Sequence, residues 1–316
     1  MLTNDTLTLE PRTDVSGPVL EFDFPAFAIG VAEYEEGPTG CTVFDFGDGA
    51  SCATDVRGGS PGLLGGYEWV HAICLAGGSI YGLEAAAGVA AELFARGGYS
   101  TDWLGIKLVS GAIIFDYGGR ETAVYPDKEL GRAALRAARP GRFPLGPRGA
   151  GRSATVGKGI DLGHRESAGQ GGAFRQIGPT KIAVFTVVNA VGGIVDREGR
   201  VVRGNVDPSR QERAGYLESL EARLARGEAP EPAHGNTTLT VVVTNQALPP
   251  RELRQLSRQV HASMSRAIQP FHALTDGDIL YAVSTAEVEN ETLDPVTLGV
   301  IASEAAWDAV LASVPG

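Results

Sequence analysis

What is scarce in this chain excludes several chemistries at once. Its three cysteines, Cys41, Cys52 and Cys74, are an odd number without C-x-x-C spacing. That pattern supports neither a disulfide framework nor a zinc knuckle. Its five histidines include no i, i+4 pair, so no metal site is expected. His261 falls on an amphipathic helix, where it reads as a surface or core residue. No apolar run approaches the roughly 18 residues of a membrane span. The start, MLTNDTLTLEPRTD, has neither the basic region nor the apolar stretch of a secretory signal, so the cytoplasm is the expected compartment. Basic residues are outnumbered, 27 Lys and Arg against 38 Asp and Glu, for a net charge of −11. Nucleic acid and anionic membranes are therefore not expected partners. There is no G-x-S-x-G elbow to carry a hydrolase serine.

Glycine, by contrast, is abundant, at 43 of 316 residues. That is about twice the usual share. It is spread without a period, which points to tight loops and close backbone approaches. Hydrophobic residues at 43% and charged residues at 21% allow a sizeable core. Residues 1–20 read as an irregular arm. Phe27–Tyr34 and Cys41–Phe46 read as strands around the turn EEGPTG. The segment from Gly66 onward moves into a long helix, best defined from Ser79 to Arg96 and stopped by Gly97-Gly98. Ile106–Asp116 reads as a buried strand, DKELGRAALRAA as a short helix, and Lys181–Asp196 as one or two strands bent at glycines. A polar segment, Gly204–Asn236, is the best linker, with a helix at Arg210–Arg226. Beyond it come a strand from Thr237 and a helix with Leu253, Leu256, Val260, Met264 and Ala267 on one stripe. A strand at Ile279–Ser284 and a helix opened by Asp294-Pro295 close the chain. The pattern predicts a layered α/β or α+β domain.

GAGRSATVGKGI resembles a phosphate loop but fails it. Five residues separate Gly151 from Gly157, and Gly159 stands where a magnesium-binding hydroxyl belongs. Asn236-Thr237-Thr238 fits a glycosylation sequon that means little without a secretory signal. The stretch AHGNTTLTVVVTNQ is more informative, because a fully apolar strand begins abruptly after a polar linker. It reads as a turn feeding a strand, or as a cut that makes Thr237 a new N-terminus. An internal threonine hydroxyl needs a neighbouring base. A terminal one carries an α-amine with a pKa of about 7.7–8, against about 10.4 for lysine. Downstream, Asp276 and Asp278 flank Gly277 just before a strand. They read as a loop cap, or as carboxylates that hold and tune an ammonium or hydroxyl.

Longer motifs carry a resemblance. They are FDFPAFAIGVAEYEEGPTG, VHAICLAGGSIYGLEAAAGV, TAVYPDKELGRAAL, VVRGN, HGNTTLTVVVTN, QVHASMSRAIQPFH and DGDILYAVST. From about Leu20 to the C-terminus the chain resembles the self-processing N-terminal-nucleophile amidases of the L-aminopeptidase/D-esterase family. Within that family it is similar to the nylon-oligomer endohydrolases. The resemblance implies a four-layer αββα sandwich in a single domain. It implies autocleavage between Asn236 and Thr237 into an α fragment, 1–236, and a β fragment, 237–316. Thr237 would be the nucleophile, Asp276 and Asp278 the acidic pair, Lys158 the active-site lysine and Asn189 the oxyanion donor. Without the resemblance, Lys158 is a loop cation and Asn189 a turn residue. Where those enzymes carry a tyrosine, this chain has Phe115 by simple alignment, so substrate contact falls to Phe115 or to Tyr117. No metal or organic cofactor is implied, and the expected assembly is a tetramer of αβ units. Three activities compete: endo-hydrolysis of linear amide oligomers such as 6-aminohexanoate oligomers, aminopeptidase or D-esterase action, and acyl transfer to an amine. An uncut binding protein is the alternative without chemistry.

Overall fold

A computed structural model describes residues 1–159, 165–207, 212–229 and 235–314. Its principal strands are Ala28–Tyr34 (β1), Thr39–Val56 (β2), Trp69–Ala76 (β3), Val109–Ile113 (β4), Gln170–Ile177 (β5), Thr180–Asn189 (β6), Thr237–Gln246 (β7) and Ile279–Val288 (β8). The helices are Leu83–Arg96 (α1), Lys128–Arg136 (α2), Tyr216–Arg226 (α3), Pro250–Ser263 (α4) and Pro295–Leu311 (α5).

The long strand β2 organises the rest. Residues 39–45 pair with β1, and residues 41–45 with β3. After a register shift between Asp45 and Ala50, residues 51–56 pair with β8. One leaf therefore runs β5-β6-β7-β8-β2, and the other is built from β1, β2, β3 and β4.

Alternation along each strand then sorts side chains between layers. On β6, Ala183, Phe185 and Val187 join Phe44, Ile73 and Leu75 of the opposite leaf in one central core. Phe185 lies 4.8 Å from Phe143 and 5.4 Å from both Phe22 and Phe44, ring centre to ring centre. The other face of β6, Ile182, Val184 and Val188, packs under Leu253, Leu256 and Val260 of α4 and Ala302, Ala305 and Ala306 of α5. A third core joins Val43, Ala72 and Cys74 to Ala85, Ala86 and Val89 of α1 and to Leu130 and Ala134 of α2. Three cores between four layers make the αββα sandwich that the motifs implied. They also explain the valine run of β7: all ten of its residues are buried, because both faces are covered.

Local chemistry sets the helix ends. Asp127 caps α2 by accepting from the amides of Glu129 and Leu130, and Asp294 caps α5 through Val296 and Thr297. Helices α1 and α2 touch backbone to backbone. A Cβ at Gly131 would lie 2.0 Å from the carbonyl oxygen of Ala85, and one at Gly88 would lie 2.1 Å from that of Lys128.

Some elements differ from the sequence reading. Trp69–Ala76 is a strand rather than the approach to a helix, since a run buried on both faces carries no period. The second half of β2 and all of β5 also went unread, their hydrophobic pattern being broken by polar residues and glycines. In the supposed linker, the helix begins at Tyr216, and Val206–Asp207 pairs with Glu212–Arg213. Arg210 and the stretch 230–234 lie outside the described residues. Among the described residues no helix is long and apolar enough to cross a membrane.

Strand direction gathers one end of the first leaf. Strand β6 runs antiparallel to β7, pairing Asn189 with Thr237. Strands β7 and β8 are parallel, with Leu239 beside Ile279, and Val56 at the end of β2 pairs with Ile279. The last residue of β6, the first of β7 and the loop entering β8 therefore meet at one edge.

Candidate active site

Thr237 is buried at that edge as the first residue of β7. Its hydroxyl donates to the carbonyl oxygen of Asn236, the residue before it. The same oxygen accepts the amide of Gly277 at 2.9 Å. Gly277 owes its identity to this contact. A Cβ there would sit 2.8 Å from Thr237 Oγ1 and 2.6 Å from the Ser60 carbonyl oxygen.

The flanking carboxylates are completely buried. Asp276 accepts from the amides of Ala273, at 2.8 Å, and Val191, at 3.3 Å. Burial, and then the charge of Asp278, push its carboxyl up to about 6 against the partial relief of those amides and of Lys158. Asp278 accepts from the Thr238 amide at 2.6 Å through one oxygen. Through the other it accepts the His272 amide at 3.2 Å and meets His272 Nδ1 at 2.9 Å.

Lys158 is buried too. Its loop is stitched to the chain after β6 by hydrogen bonds from the Lys158 and Gly159 backbone amides to the Val191 carbonyl. Its Nζ donates to the backbone oxygen of Asn189 at 3.1 Å and to Asn189 Oδ1 at 3.0 Å. Burial brings the ammonium down to about 7, Arg165 acting in the same sense and Asp276 against it. Asn189 is fully engaged. Oδ1 also accepts from the Thr155 amide, and Nδ2 donates to the carbonyls of Phe115, at 3.0 Å, and Gly235, at 3.2 Å.

In front of Thr237 lies a cavity of about 210 Å³ lined by Ser60, Ser79, Ile113, Phe115, Gly235, Asn236, Thr237 and Thr275. Phe115 is part of its wall. Tyr117 stands edge-on to Phe115 at 5.6 Å, with the Arg120 guanidinium over its face at 4.2 Å. The sequence residues thus fall into one neighbourhood: Thr237, Asp276, Asp278, Lys158 and Asn189 are linked by hydrogen bonds, strand pairing or charge. Ser60, Ser79, Thr275 and His272 were not singled out. Ser60 and Thr275 lie in loops without a local signal, and Ser79 opens the helical turn that leads into α1, where a serine reads as an ordinary helix start.

The lysine environment has a thermodynamic signature. Folding lowers its pKa from 10.5 to about 7. Between those values the unfolded chain binds more protons, so stability rises with pH. The penalty is complete below about 7 and is relieved toward 10.5. On uncut chains, the stability of the native sequence relative to Lys158→Met should improve by about 1.4 kcal/mol per pH unit above neutrality. Denaturant unfolding at a series of pH values checks this, and a difference independent of pH would mean the amine is solvated.

Comparison with known proteins matches residues 22–314 to peptidase family S58. The chain is 49% identical over 318 residues to a 6-aminohexanoate-oligomer endohydrolase of Agromyces sp. (strain KY5R), covering 98% of this chain and 89% of that protein. The 6-aminohexanoate-oligomer endohydrolase of Paenarthrobacter ureafaciens is similar to the same degree and over the same shares. Among solved structures, the L-aminopeptidase D-Ala-esterase/amidase of Ochrobactrum anthropi superposes with a TM-score of 0.65. That likeness covers 95% of this chain and 88% of the other at 15% identity, and so speaks for the fold. That structure is described as a new variant of the Ntn-hydrolase fold. The layered arrangement of sheets and helices accords with that likeness of fold, and by sequence the chain belongs to peptidase family S58.

Proposed function

We propose that the chain cuts itself between Asn236 and Thr237, and that the exposed Thr237 then hydrolyses internal amide bonds of linear oligomers such as those of 6-aminohexanoate. The observation that carries this reading is the Asn236 carbonyl, held between the Thr237 hydroxyl and the Gly277 amide. In processing, Thr237 Oγ1 attacks that carbonyl carbon and the oxygen gains negative charge facing the Gly277 N–H. One such donor is worth roughly 2.7–4 kcal/mol in a transition state. The hydroxyl proton passes to the Thr237 nitrogen as its bond to the Asn236 carbon breaks, giving an ester and a free Thr237 amine. Water then cleaves the ester, releasing the Asn236 carboxylate and restoring the Thr237 hydroxyl. In turnover that amine accepts the hydroxyl proton, Oγ1 forms the acyl-enzyme, and the proton passes to the departing amine. Water completes hydrolysis.

The neighbours support these roles. Asp276 and Lys158 have pKa values of about 6 and about 7, so the site exchanges protons near neutrality. The Gly235 carbonyl occupies the Asn189 amide in the uncut chain. Departure of the 236 end would free that N–H for a substrate oxyanion. The cavity lining carries no charged side chain among the described residues, which suits an uncharged stretch of an amide oligomer better than a terminal ammonium. Phe115 gives that wall an apolar ring and Tyr117 supports it from behind. The three buried, unpaired cysteines suit a reducing compartment, for which we propose the cytoplasm.

Intact mass and N-terminal sequencing should show two fragments, of 236 residues and 316 − 236 = 80 residues, the second beginning at Thr237. Thr237→Ala should remain one chain of 33.0 kDa. Fragments ending at Asn236 in that variant would assign the cut to an outside protease.

Early products from 6-aminohexanoate oligomers, resolved by chromatography, should be mixed shorter oligomers. Monomer alone from the first minutes would move the activity to an exo-acting aminopeptidase.

Assembly into a tetramer of αβ units is the proposed state. Phe94 in the last turns of α1 stands edge-on to Tyr99, and both are exposed, as are Trp103 and Leu104 a few residues on; exposed apolar side chains of this kind suit a subunit contact. Light scattering should give about four times the chain mass, whereas a monomer mass independent of concentration would exclude it.

A further inference from the structure

Behind the acidic pair lies a second constellation that the mechanism above does not use. Asp55, near the end of β2, meets His261 Nδ1 of α4 at 2.9 Å. It also accepts from Arg57 Nε at 2.7 Å. The His261 ring stands edge-on to the His272 ring, with centres 4.5 Å apart. Phe271 stacks on His272 at 3.9 Å and stands edge-on to His261 at 5.8 Å, so the three rings form one cluster. His272 Nδ1 and its own amide then converge on a single oxygen of Asp278. The other Asp278 oxygen holds the amide of Thr238, next to the candidate nucleophile. The Nε2 atoms of both histidines are buried and, among the described residues, have no hydrogen-bond partner.

Two features set this apart from ordinary packing. His272 has φ +59, a left-handed backbone uncommon for a residue bearing a ring. Such conformations persist where the surroundings over-determine them, and they cluster at functional sites. Here the conformation directs two donors of one residue at one carboxylate oxygen. A carboxylate only accepts, so Nδ1 carries the proton and the imidazole has a fixed tautomer. With the Thr238 amide, these donors give the fully buried Asp278 three N–H partners, and the position of each of its oxygens is set.

Building on the self-processing reading, we propose that His272 is a positioning residue for Thr237 chemistry, clamping one oxygen of Asp278 so that the other fixes the first residues of strand β7 through the Thr238 amide, with the His261–Asp55 pair bracing the imidazole. His272 touches neither the scissile carbonyl nor the Thr237 hydroxyl. It acts through Asp278 and the Thr238 amide.

Two substitutions separate this role from a structural one. His272→Gly accepts the left-handed backbone and removes the ring donor. His272→Asn also tolerates that backbone and keeps an N–H at a similar reach. The self-cleavage rate of freshly refolded chains would be followed by gel and intact mass, with melting temperatures recorded on the same chains in the Thr237→Ala background. His272→Gly should cleave on the order of tenfold to a hundredfold more slowly, the scale of a small misplacement at a reacting centre. His272→Asn should retain most of the rate, and added imidazole should accelerate His272→Gly at an unchanged melting temperature. Cleavage of His272→Gly at the native rate overturns the proposal. So does a loss that neither asparagine nor imidazole relieves and that follows the drop in melting temperature. Thr237→Ala alone is the control for the underlying reading: if it is still cut, self-processing fails. If it stays whole while His272→Gly cleaves normally, only the role of His272 fails.

Discussion

Everything at this sheet edge depends on keeping three ionisable groups out of water. Asp276, Asp278 and Lys158 are all buried within one cluster. Moving such groups from water is costly unless each is paired or hydrogen-bonded. The fold meets this with backbone amides at strand ends. Asp276 takes those of Ala273 and Val191, and Asp278 those of Thr238 and His272. What remains uncompensated appears as displaced pKa values: the carboxyl of Asp276 rises to about 6 and the ammonium of Lys158 falls to about 7. A salt bridge in the open would have left both far from neutrality. Burial brings an acid and a base within reach of each other's protonation state, which is the condition general acid–base chemistry requires.

The uncut chain also shows why processing and catalysis can share one apparatus. On the self-processing proposal, the Asn236 carbonyl stands where a substrate carbonyl is later taken, with a hydroxyl on one side and the Gly277 amide on the other. Asn189 is held by Lys158 and Thr155 through its oxygen, so its amide nitrogen can face only the Phe115 and Gly235 carbonyls. Rigidity comes from strand pairing: Asn189 and Thr237 are register partners at the ends of two central strands of a sheet covered on both faces. Groups placed on such elements lose little entropy when the reaction demands a fixed geometry.

Legibility in the sequence followed the range of the interactions involved. The onset of β7, the stripe of α4 and the caps of α2 and α5 are local and were readable from spacing. Strands β3 and β5 were not, because burial on both faces erases alternation and scattered glycines break it. The four layers came through family resemblance, as did the roles proposed for Lys158 and Asn189. No local rule joins a loop lysine to an asparagine 31 residues away. The Gly277 amide was invisible in principle, since a backbone N–H leaves no mark beyond the absence of a side chain. His261 was read as surface or core, and it is core. Its bond to Asp55 spans 206 residues and has no sequence signal.

The Asp-Gly-Asp triplet shows why a bland reading and a functional one need not compete. As a loop cap, Asp276 closes its own turn by accepting the amide of Ala273, three residues back. Asp278 likewise ties down the amide of His272. Those bonds would justify both carboxylates in any loop. Yet the same bonds leave each carboxylate one oxygen directed elsewhere, to Val191 beside the Lys158 loop and to Thr238 beside Thr237. The glycine between them turns its amide to the Asn236 carbonyl and leaves room for the Thr237 hydroxyl. A carboxylate that fixed nothing locally would be too mobile to orient a reacting group, and one that fixed only its own loop would have no reason to be buried here. The capping bonds are what make the outward-facing oxygens dependable.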